Sequence, residues 1–425
     1  MKITVMGGGS TYTPELVDGL ILHGRDIGLE TLTLLDIDPV RLKTVGDFCA
    51  RMVRHAGAGF TVEQSLDLDK AIDGASFVTT QFRVGTQKAR HQDILLGCRH
   101  DLIGQETTGV GGFGKALRTI PEIAKLVKAL KDQDSNAWVV NFTNPSGIIT
   151  ESLLTLGWQK TVGLCNIPIG MQMDIAQALG LAPEDVDMDY AGLNHLAWVR
   201  HVYIKGEDRI NQIIEMLEQL NFKGAPANIE DMEYPPGFLR MLGALPSGYL
   251  RYYYMTDQML EKITSKPKTR AQEVMEIEEE LLALYRDENQ VEKPRQLSQR
   301  GGAYYSKIAV DIIQALLSDQ ESVQIVNLAA GNAVPGIAPF QTVEIPARLS
   351  SRGITPIPLK NPLAHHHLGL AQVVKQYETL TVQAALEGSY TKAWQALCLH
   401  PLCGPVKARA VLDDIIRTFN LTYLK

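Results

Sequence analysis

The chain has 425 residues, of which 45% are hydrophobic and 21% are charged, and its formal net charge is −7. These values are ordinary for a folded globular protein, and the length predicts two domains or one large one. The sequence has no Lys/Arg-rich block and no apolar run of the roughly 20 residues that a membrane helix needs, which argues against nucleic acid and membranes as partners. The five cysteines are scattered and form no CxxC pair, and the apolar run at the N-terminus is too short for a signal peptide. Both observations favour a reducing, cytoplasmic setting.

Strand and helix patterns alternate along the first part of the chain. Buried strands are predicted at residues 3–6, 31–35, 76–82, 137–142 and 161–165. Helices are predicted to open at Thr13-Pro14, with Thr13 as N-cap, and at Asp38-Pro39. This alternation is typical of the α/β class, and it predicts an N-terminal Rossmann-like domain, residues 1–185, with a doubly wound parallel sheet.

The pattern changes after about residue 185. Two paired strands, 186–192 and 198–204, flank Asn194-His195, and a helix at 272–286 and strands at 322–328 and 342–345 follow. We therefore predict a second, mixed α+β domain over residues 186–425, which completes the substrate and metal site and forms the oligomer. The polar, proline-containing segments 265–269 and 287–295 are expected to be mobile or to cover the site.

A glycine-rich turn joins the first predicted strand to the first predicted helix. Gly7, Gly8, Gly9, Ser10 and Thr11 would let backbone N–H groups approach a pyrophosphate at a helix N-terminus. Asp36 ends the second strand, where a carboxylate accepts hydrogen bonds from an adenosine ribose and favours NAD over NADP. Tyr12 stands where the third glycine of a GxGxxG motif would be, and the alternative is a glycine-rich turn without a ligand.

Cys165 and His195 each follow a predicted strand, and the ends of strands are where the sites of α/β proteins lie. A lone Cys is more often a small buried hydrophobic residue, and a lone His is more often a hydrogen-bonded structural one. As a pair they could hold a catalytic metal with positions left open for substrate oxygens. The residues alone leave both interpretations open.

Six motifs, taken together and in this order, resemble glycoside hydrolase family 4. They are Gly7-Gly8-Gly9-Ser10-Thr11, Gly104-Gln105-Glu106-Thr107, Asn141-Phe142-Thr143-Asn144-Pro145, Cys165-Asn166-Ile167-Pro168, Gly192-Leu193-Asn194-His195 and Tyr249-Leu250-Arg251-Tyr252-Tyr253. They extend over nearly the whole chain. The resemblance implies an NAD-dependent glycosidase, an exception among glycosidases, which otherwise use two carboxylates.

The implied mechanism is a temporary oxidation of the sugar. A hydride passes from C3 to NAD, the resulting ketone acidifies the C2 proton, a base removes that proton, and the C1 leaving group is eliminated. Water then adds and the hydride returns, so NAD is regenerated in each turnover. A divalent cation on the C2 and C3 oxygens would stabilise the enediolate.

The resemblance also implies roles for individual residues. Cys165 and His195 would bind the metal, typically Mn²⁺, and Tyr249 would be the base that takes the C2 proton. Since an ordinary tyrosine has a pKa of about 10, the metal's charge must help it near neutrality. Glu106 would raise the basicity of Tyr249.

The substrate contacts implied by the resemblance are Arg90, Asn144 and Arg270, and guanidinium groups suit a sugar 6-phosphate. Family members acting on 6-phospho-α-glucosides carry Cys-Asp, whose Asp protonates the leaving group, whereas this chain has Cys165-Asn166. An amide cannot act as a general acid. The sequence therefore resembles the 6-phospho-β-glucosidase subgroup, with Asn166 at the substrate.

Other functions remain open at this stage. A 2-hydroxy-acid dehydrogenase would produce NADH, and a non-catalytic NAD-binding regulator would gain nothing from Mn²⁺. A family member could also act on a 6-phospho-α-glucoside or an unphosphorylated sugar. The resemblance implies a homodimer or homotetramer. We interpret His365-His366-His367 as a polar loop or helix start, and the run at 276–280 as a solvated helix face.

Overall fold

The structure, a computed structural model, describes residues 1–219, 229, 231–300 and 304–425. Its strands are β1 (Lys2–Met6), β2 (Thr31–Leu35), β3 (Thr61–Ser65), β4 (Phe77–Thr80), β5 (Trp138–Asn141), β6 (Thr161–Gly163), β7 (Asp187–Leu193), β8 (Leu196–Ile204), β9 (Glu207–Asp208), β10 (Leu245–Pro246), β11 (Ser322–Ala329), β12 (Thr342–Ser350) and β13 (Gly353–Pro356). Its helices are α1 (Thr13–His23), α2 (Pro39–His55), α3 (Leu68–Ile72), α4 (Thr86–Arg99), α5 (Val110–Asp132), α6 (Ser146–Thr155), α7 (Ile167–Leu179), α8 (Ile210–Gln219), α9 (Phe238–Leu242), α10 (Arg251–Tyr254), α11 (Thr256–Thr264), α12 (Arg270–Arg286), α13 (Tyr305–Leu317), α14 (His365–Glu387), α15 (Tyr390–Leu399) and α16 (Pro405–Phe419).

The first six strands form a parallel sheet in the order β3-β2-β1-β4-β5-β6. This is the strand order of a dinucleotide-binding Rossmann sheet, and it confirms the predicted doubly wound domain. The order reverses between β1 and β4. A ligand crevice is expected outside the carboxyl ends of these two strands.

The sheet continues beyond β6 with antiparallel strands. β11 pairs with β6, β12 pairs with β11, and β7 pairs with β12, followed by β8 and β10. Within the described ranges the two halves therefore share one mixed sheet, although β6 and β11 are far apart in sequence. The division at residues 185 and 186 stays a prediction.

Local sequence explains several helix ends, and it corrects one prediction. Asp38 caps α2, because its carboxylate accepts hydrogen bonds from the N–H groups of Val40 and Arg41, both at 3.0 Å. Helix α1 begins at Thr13, so the predicted N-cap is wrong by one residue. The preceding residue is Tyr12, and the Thr13 hydroxyl donates instead to the carbonyl of Gly8.

Two charged or polar segments lie deeper than predicted. Helix α14 does begin at His365, but His367 is buried and its ring stacks on Trp198, with centroids 4.4 Å apart. Glu278 in α12 is also buried, where its carboxylate contacts Arg41 and Arg300 at 3.2 and 3.1 Å. The interpretation of 276–280 as a solvated face is therefore wrong for Glu278, because its partners come from distant parts of the chain.

None of the helices among the described residues combines the length and the apolar character needed to cross a membrane. The largest apolar core lies between the sheet and the helices on its two faces, and it includes residues of both halves.

Candidate active site

The glycine-rich turn follows β1 at the carboxyl end of the parallel sheet. Gly7 has φ of +96°, and a Cβ on it would lie 2.8 Å from the backbone N of Phe82. A Cβ on Gly9 would lie 2.9 Å from a carboxylate oxygen of Asp36. Only glycine fits at Gly7, and a side chain at Gly9 would have to displace the Asp36 carboxylate. The backbone therefore passes close to neighbouring groups, as dinucleotide binding requires.

Asp36, which follows β2, lies directly beside this turn. Its Oδ2 accepts a hydrogen bond of 2.8 Å from the N–H of Gly9, and its Oδ1 accepts one from the N–H of Asp38. Ser10 and Thr11 complete the turn before α1, and the hydroxyl of Thr11 is buried without a hydrogen-bond partner among the described residues. The turn, its acidic neighbour and this spare hydroxyl fit the diphosphate and ribose of a dinucleotide.

His195 lies in the two-residue loop between β7 and β8. It has φ of +65°, an uncommon conformation for a residue with a side chain, and its carbonyl accepts a hydrogen bond from the Ser247 hydroxyl. Its ring stacks on Tyr249, with centroids 3.6 Å apart and planes within 4° of parallel. Burial lowers the pKa of His195 to about 3. The imidazole is therefore neutral near pH 7 and can bind a metal.

Cys165 follows β6 and lies in the same apolar cluster as Tyr249. The side chain of Asn194, the residue before His195, hydrogen-bonds to its thiol. Burial, together with the negative charge of Glu344, holds the pKa of Cys165 well above its usual range. A thiolate here therefore needs a nearby cation.

Glu344 on β12 forms hydrogen bonds with residues around Cys165 and His195. Its carboxylate is fully buried and accepts hydrogen bonds from Tyr190 at 2.6 Å, Asn194 at 3.0 Å and Asn327 at 2.9 Å. These partners come from β7, the hairpin loop and β11. The carboxylate thus links three segments beside Cys165 and His195.

Glu106 is buried among three cations. Its carboxylate contacts Arg83, Arg90 at 2.9 Å and Lys115 at 3.2 Å. Burial raises the pKa of Glu106, but Arg83, Arg90 and Lys115 outweigh this effect and hold it well below its usual range. Burial and repulsion from Arg83 lower the pKa of Lys115 to about 7. The cluster has more positive than negative charge.

A cavity of about 50 Å³ adjoins Glu106. Arg90 and Arg270, two predicted substrate residues, line it, and so do Lys266 and Lys268. Arg270 is the first residue of α12 and contacts Glu273 at 3.0 Å and the carbonyl of Gln299. The two predicted arginines therefore share one cationic cavity, which fits a phosphate group.

Asn144 and Asn166 lie at the ends of β5 and β6 respectively. The side chain of Asn144 hydrogen-bonds to Tyr305, whose hydroxyl is electrostatically coupled to Cys165 and Tyr249. The Asn144–Pro145 peptide bond is cis. Asn166 precedes α7 and directly follows Cys165. Both predicted residues are thus brought to the same edge of the sheet as the candidate metal ligands.

Several residues of the site are not indicated by the sequence. Lys115, Arg83 and Tyr305 contact or face the predicted residues but belong to none of the six motifs. Lys115 could have been noticed, because it is a charge within the otherwise uncharged run 110–117. Arg83 and Tyr305 carry no comparable local signal.

Cys165 and His195 would give a metal ion two protein donors, a thiol and a neutral imidazole. Over the ranges that the structure describes, there is no group of three or more His, Cys, Asp or Glu side chains that could hold a metal ion. One thiol and one neutral imidazole would leave most coordination positions to substrate and water. Such a set is compatible with Mn²⁺ without selecting it.

Comparison with known proteins identifies the family. Residues 2–181 match the model of the family 4 glycosyl hydrolases, and residues 190–403 match the model of the family 4 glycosyl hydrolase C-terminal domain. A probable 6-phospho-β-glucosidase of Bacillus subtilis is 39% identical over 423 residues, 98% of this chain and 96% of that protein. A 6-phospho-β-glucosidase of Thermotoga maritima is 39% identical over 427 residues, the full length of both.

A solved structure of the Thermotoga maritima 6-phospho-β-glucosidase with manganese, NAD⁺ and glucose 6-phosphate aligns with a TM-score of 0.90 at 37% identity, covering 100% of this chain and 99% of that one. Sequence and fold agree over the whole length. The chain belongs to glycoside hydrolase family 4.

Proposed function

We propose that this protein hydrolyses 6-phospho-β-glucosides, with NAD and a divalent cation such as Mn²⁺ as cofactors. The observation that carries the proposal is the stacked pair of His195 and Tyr249 beside Cys165. It brings two metal-binding side chains and a phenol together at the carboxyl end of a dinucleotide-binding sheet. The 6-phospho-β-glucosidases to which the chain is similar support the substrate class.

The two cofactor sites use separate parts of the chain. The turn at Gly7, Gly8 and Gly9 leaves room for the NAD diphosphate at the N-terminus of α1, where the helix dipole favours negative charge, and Asp36 accepts hydrogen bonds from the ribose. Cys165 and His195 hold the cation. When bound, NAD supplies a hydride acceptor for C3 of the sugar and the cation supplies Lewis acidity at its C2 and C3 oxygens.

Tyr249 takes the C2 proton at its phenolic oxygen. Arg90 is electrostatically coupled to Tyr249 and favours its charged form. Glu106 holds Arg90 in place through the 2.9 Å contact. Glu106 therefore acts on Tyr249 indirectly, through Arg90. The stack on His195 fixes the plane of the phenol ring.

Substrate recognition follows from the cationic cavity. Arg270 and Arg90 donate charged hydrogen bonds to the 6-phosphate. Asn144 orients the sugar from the end of β5. Asn166 contacts the substrate through an amide, which is too weak an acid to protonate the leaving oxygen, so the general acid is not this side chain.

The test is release of p-nitrophenol from p-nitrophenyl-β-glucoside 6-phosphate under reducing conditions, with NAD and Mn²⁺ each present or omitted. The expected result is release that needs both cofactors and leaves no NADH behind. In D₂O, the glucose 6-phosphate produced should carry deuterium at C2, because Tyr249 exchanges its proton with solvent.

Matched substrates separate the alternatives. Release from the α-anomer or from the unphosphorylated β-glucoside alone would contradict the substrate assignment while retaining the family chemistry. Accumulation of NADH without p-nitrophenol release would favour a dehydrogenase instead. Release without deuterium at C2 would contradict the elimination mechanism.

A further inference from the structure

The loop at residues 105–108 contacts His195 on one ring nitrogen. Thr107 Oγ1 lies 2.8 Å from Nδ1 of His195, and the same hydroxyl lies 2.8 Å from Oε1 of Gln105. Gln105, Thr108 and His195 are buried. A hydroxyl has one proton and faces two polar atoms here, so its orientation decides which ring nitrogen carries the imidazole proton.

The backbone fixes the identity of the Gln105 atom. Oε1 accepts hydrogen bonds from the N–H groups of Thr107 and Thr108, both at 2.7 Å. Two N–H donors can face only the oxygen of an amide side chain, because the NH₂ group is itself a donor. The atom that Thr107 Oγ1 contacts is therefore an acceptor.

The hydroxyl proton must then point at Gln105. If it pointed at His195 instead, oxygen lone pairs of Thr107 and Gln105 would face each other at 2.8 Å in a buried site. With the proton on the Gln105 side, Thr107 Oγ1 presents a lone pair to the imidazole. Nδ1 of His195 must therefore carry a proton and donate it.

The loop is itself anchored from the C-terminal part of the chain. Nδ1 of His400 accepts the N–H of Leu402 at 3.0 Å, so its Nε2 carries the proton and donates to the carbonyl of Thr108 at 3.0 Å. His400 is fully buried. The stack on Tyr249 holds the plane of the His195 ring, and the Thr107 contact sets its rotation within that plane.

We propose that Gln105 and Thr107 are positioning residues that select the Nδ1–H tautomer of His195 and thereby direct the lone pair of Nε2 to the metal. This inference rests on the proposed function, in which His195 is a metal ligand. Groups that bind the second nitrogen of a metal-binding histidine orient the ring and raise its basicity. Neither Gln105 nor Thr107 touches the metal in this role.

The test reads the tautomer in the metal-free protein and the Mn²⁺ affinity separately. Protein labelled with ¹⁵N-histidine gives long-range ¹H–¹⁵N spectra that distinguish the two tautomers, and a His195→Phe variant assigns the signal among the 10 histidines. The Mn²⁺ dissociation constant is measured by electron paramagnetic resonance of free Mn²⁺.

The expected result is a pure Nδ1–H tautomer in the unsubstituted protein and a mixture in Thr107→Val, whose Mn²⁺ dissociation constant rises about 10- to 100-fold. Thr107→Ser keeps the hydroxyl and should restore both properties. Thr44→Val is the matched control, because the Thr44 hydroxyl donates to the carbonyl of Val40 within an exposed helical turn, and it should change neither property.

An Nε2–H tautomer in the unsubstituted protein would overturn the inference. So would a Thr107→Val variant with unchanged tautomer and affinity, or a Thr107→Ser variant as impaired as Thr107→Val. The His195→Phe variant distinguishes failure of the proposed function: if it binds Mn²⁺ as tightly as the unsubstituted protein, His195 is not a ligand, whatever its tautomer.

Discussion

Replacing Glu106 with Gln would leave three cations facing one another in a buried site. Arg83, Arg90 and Lys115 all contact the Glu106 carboxylate, and only Arg83 among them is appreciably exposed, at 23%. The neutral amide keeps the shape but removes the carboxylate that all three cations contact. Mutual repulsion and desolvation are then uncompensated.

Removing one partner of a buried ion pair costs about 3–5 kcal/mol. Lys115 can reduce this loss, because its pKa is about 7 in the intact cluster and falls further without Glu106. We therefore expect Glu106→Gln to lose about 3 kcal/mol of unfolding free energy at pH 6, the lower end of that range. Turnover should fall as well, since Arg90 loses its anchor beside Tyr249.

The pH dependence gives a second check. The lysine binds a proton in the unfolded state up to its ordinary pKa of 10.5. In the variant, folded Lys115 loses its proton below pH 7, whereas in the unsubstituted protein it does so near pH 7. Between the pKa of Lys115 in the variant and its pKa in the unsubstituted protein, only the variant gains unfolding free energy as pH rises, by up to about 1.4 kcal/mol per pH unit. The loss of unfolding free energy caused by Glu106→Gln should therefore be smaller at pH 7 than at pH 5.

The assay is urea unfolding of both proteins at pH 5, 6 and 7, with stability taken from the midpoint shift at a common slope. Glu122→Gln is the matched control, because Glu122 pairs with Lys125 on an exposed helix face and should change stability by less than about 0.5 kcal/mol. A loss for Glu106→Gln as small as the control's, or one that grows between pH 5 and pH 7, would refute the reasoning.

Three further predictions concern the cofactor and base residues. Mn²⁺ affinity should rise by up to about tenfold per pH unit near neutrality, because burial and Glu344 keep Cys165 protonated and metal binding must release that proton. Calorimetry in buffers of different ionisation enthalpy measures the number of protons released on binding. If no proton is released, Cys165 is not a ligand. Asp36→Ala should weaken NAD binding by about 1–3 kcal/mol, since the ribose loses a charged acceptor, and unchanged NAD titration would exclude that role. Tyr249→Phe should abolish deuterium exchange at C2 while NAD and Mn²⁺ still bind, and exchange at the original rate would assign the base elsewhere.

Much of the parallel sheet could be predicted, because its signals are local. The strand at Thr31–Leu35 and the helix that begins after Asp38 need only an apolar run and a capping residue, and both predictions are confirmed. The predicted start of α12 is two residues late, although its signal is also local: Thr269 and Gln272 form a capping box.

The remaining features depend on contacts between distant segments. No pattern near β6 indicates that β11, more than 150 residues later, will pair with it. Glu278 lies within a helical run of acidic residues, and its burial is compensated by contacts with Arg41 and Arg300. The motifs identify the candidate site residues, but not the groups that hold them in place.

The shared sheet has a consequence for any attempt to divide the chain. Asn327 of β11 pairs with Gly163 at the end of β6, two residues before Cys165. A fragment ending at residue 185 would keep the nucleotide turn but expose the β6 edge, an open template for aggregation. Such a fragment would also lack His195. The two halves are therefore poor modules for domain exchange. Chimaeras made from two family members should take β6 and β11 from the same parent, so that their pairing is kept.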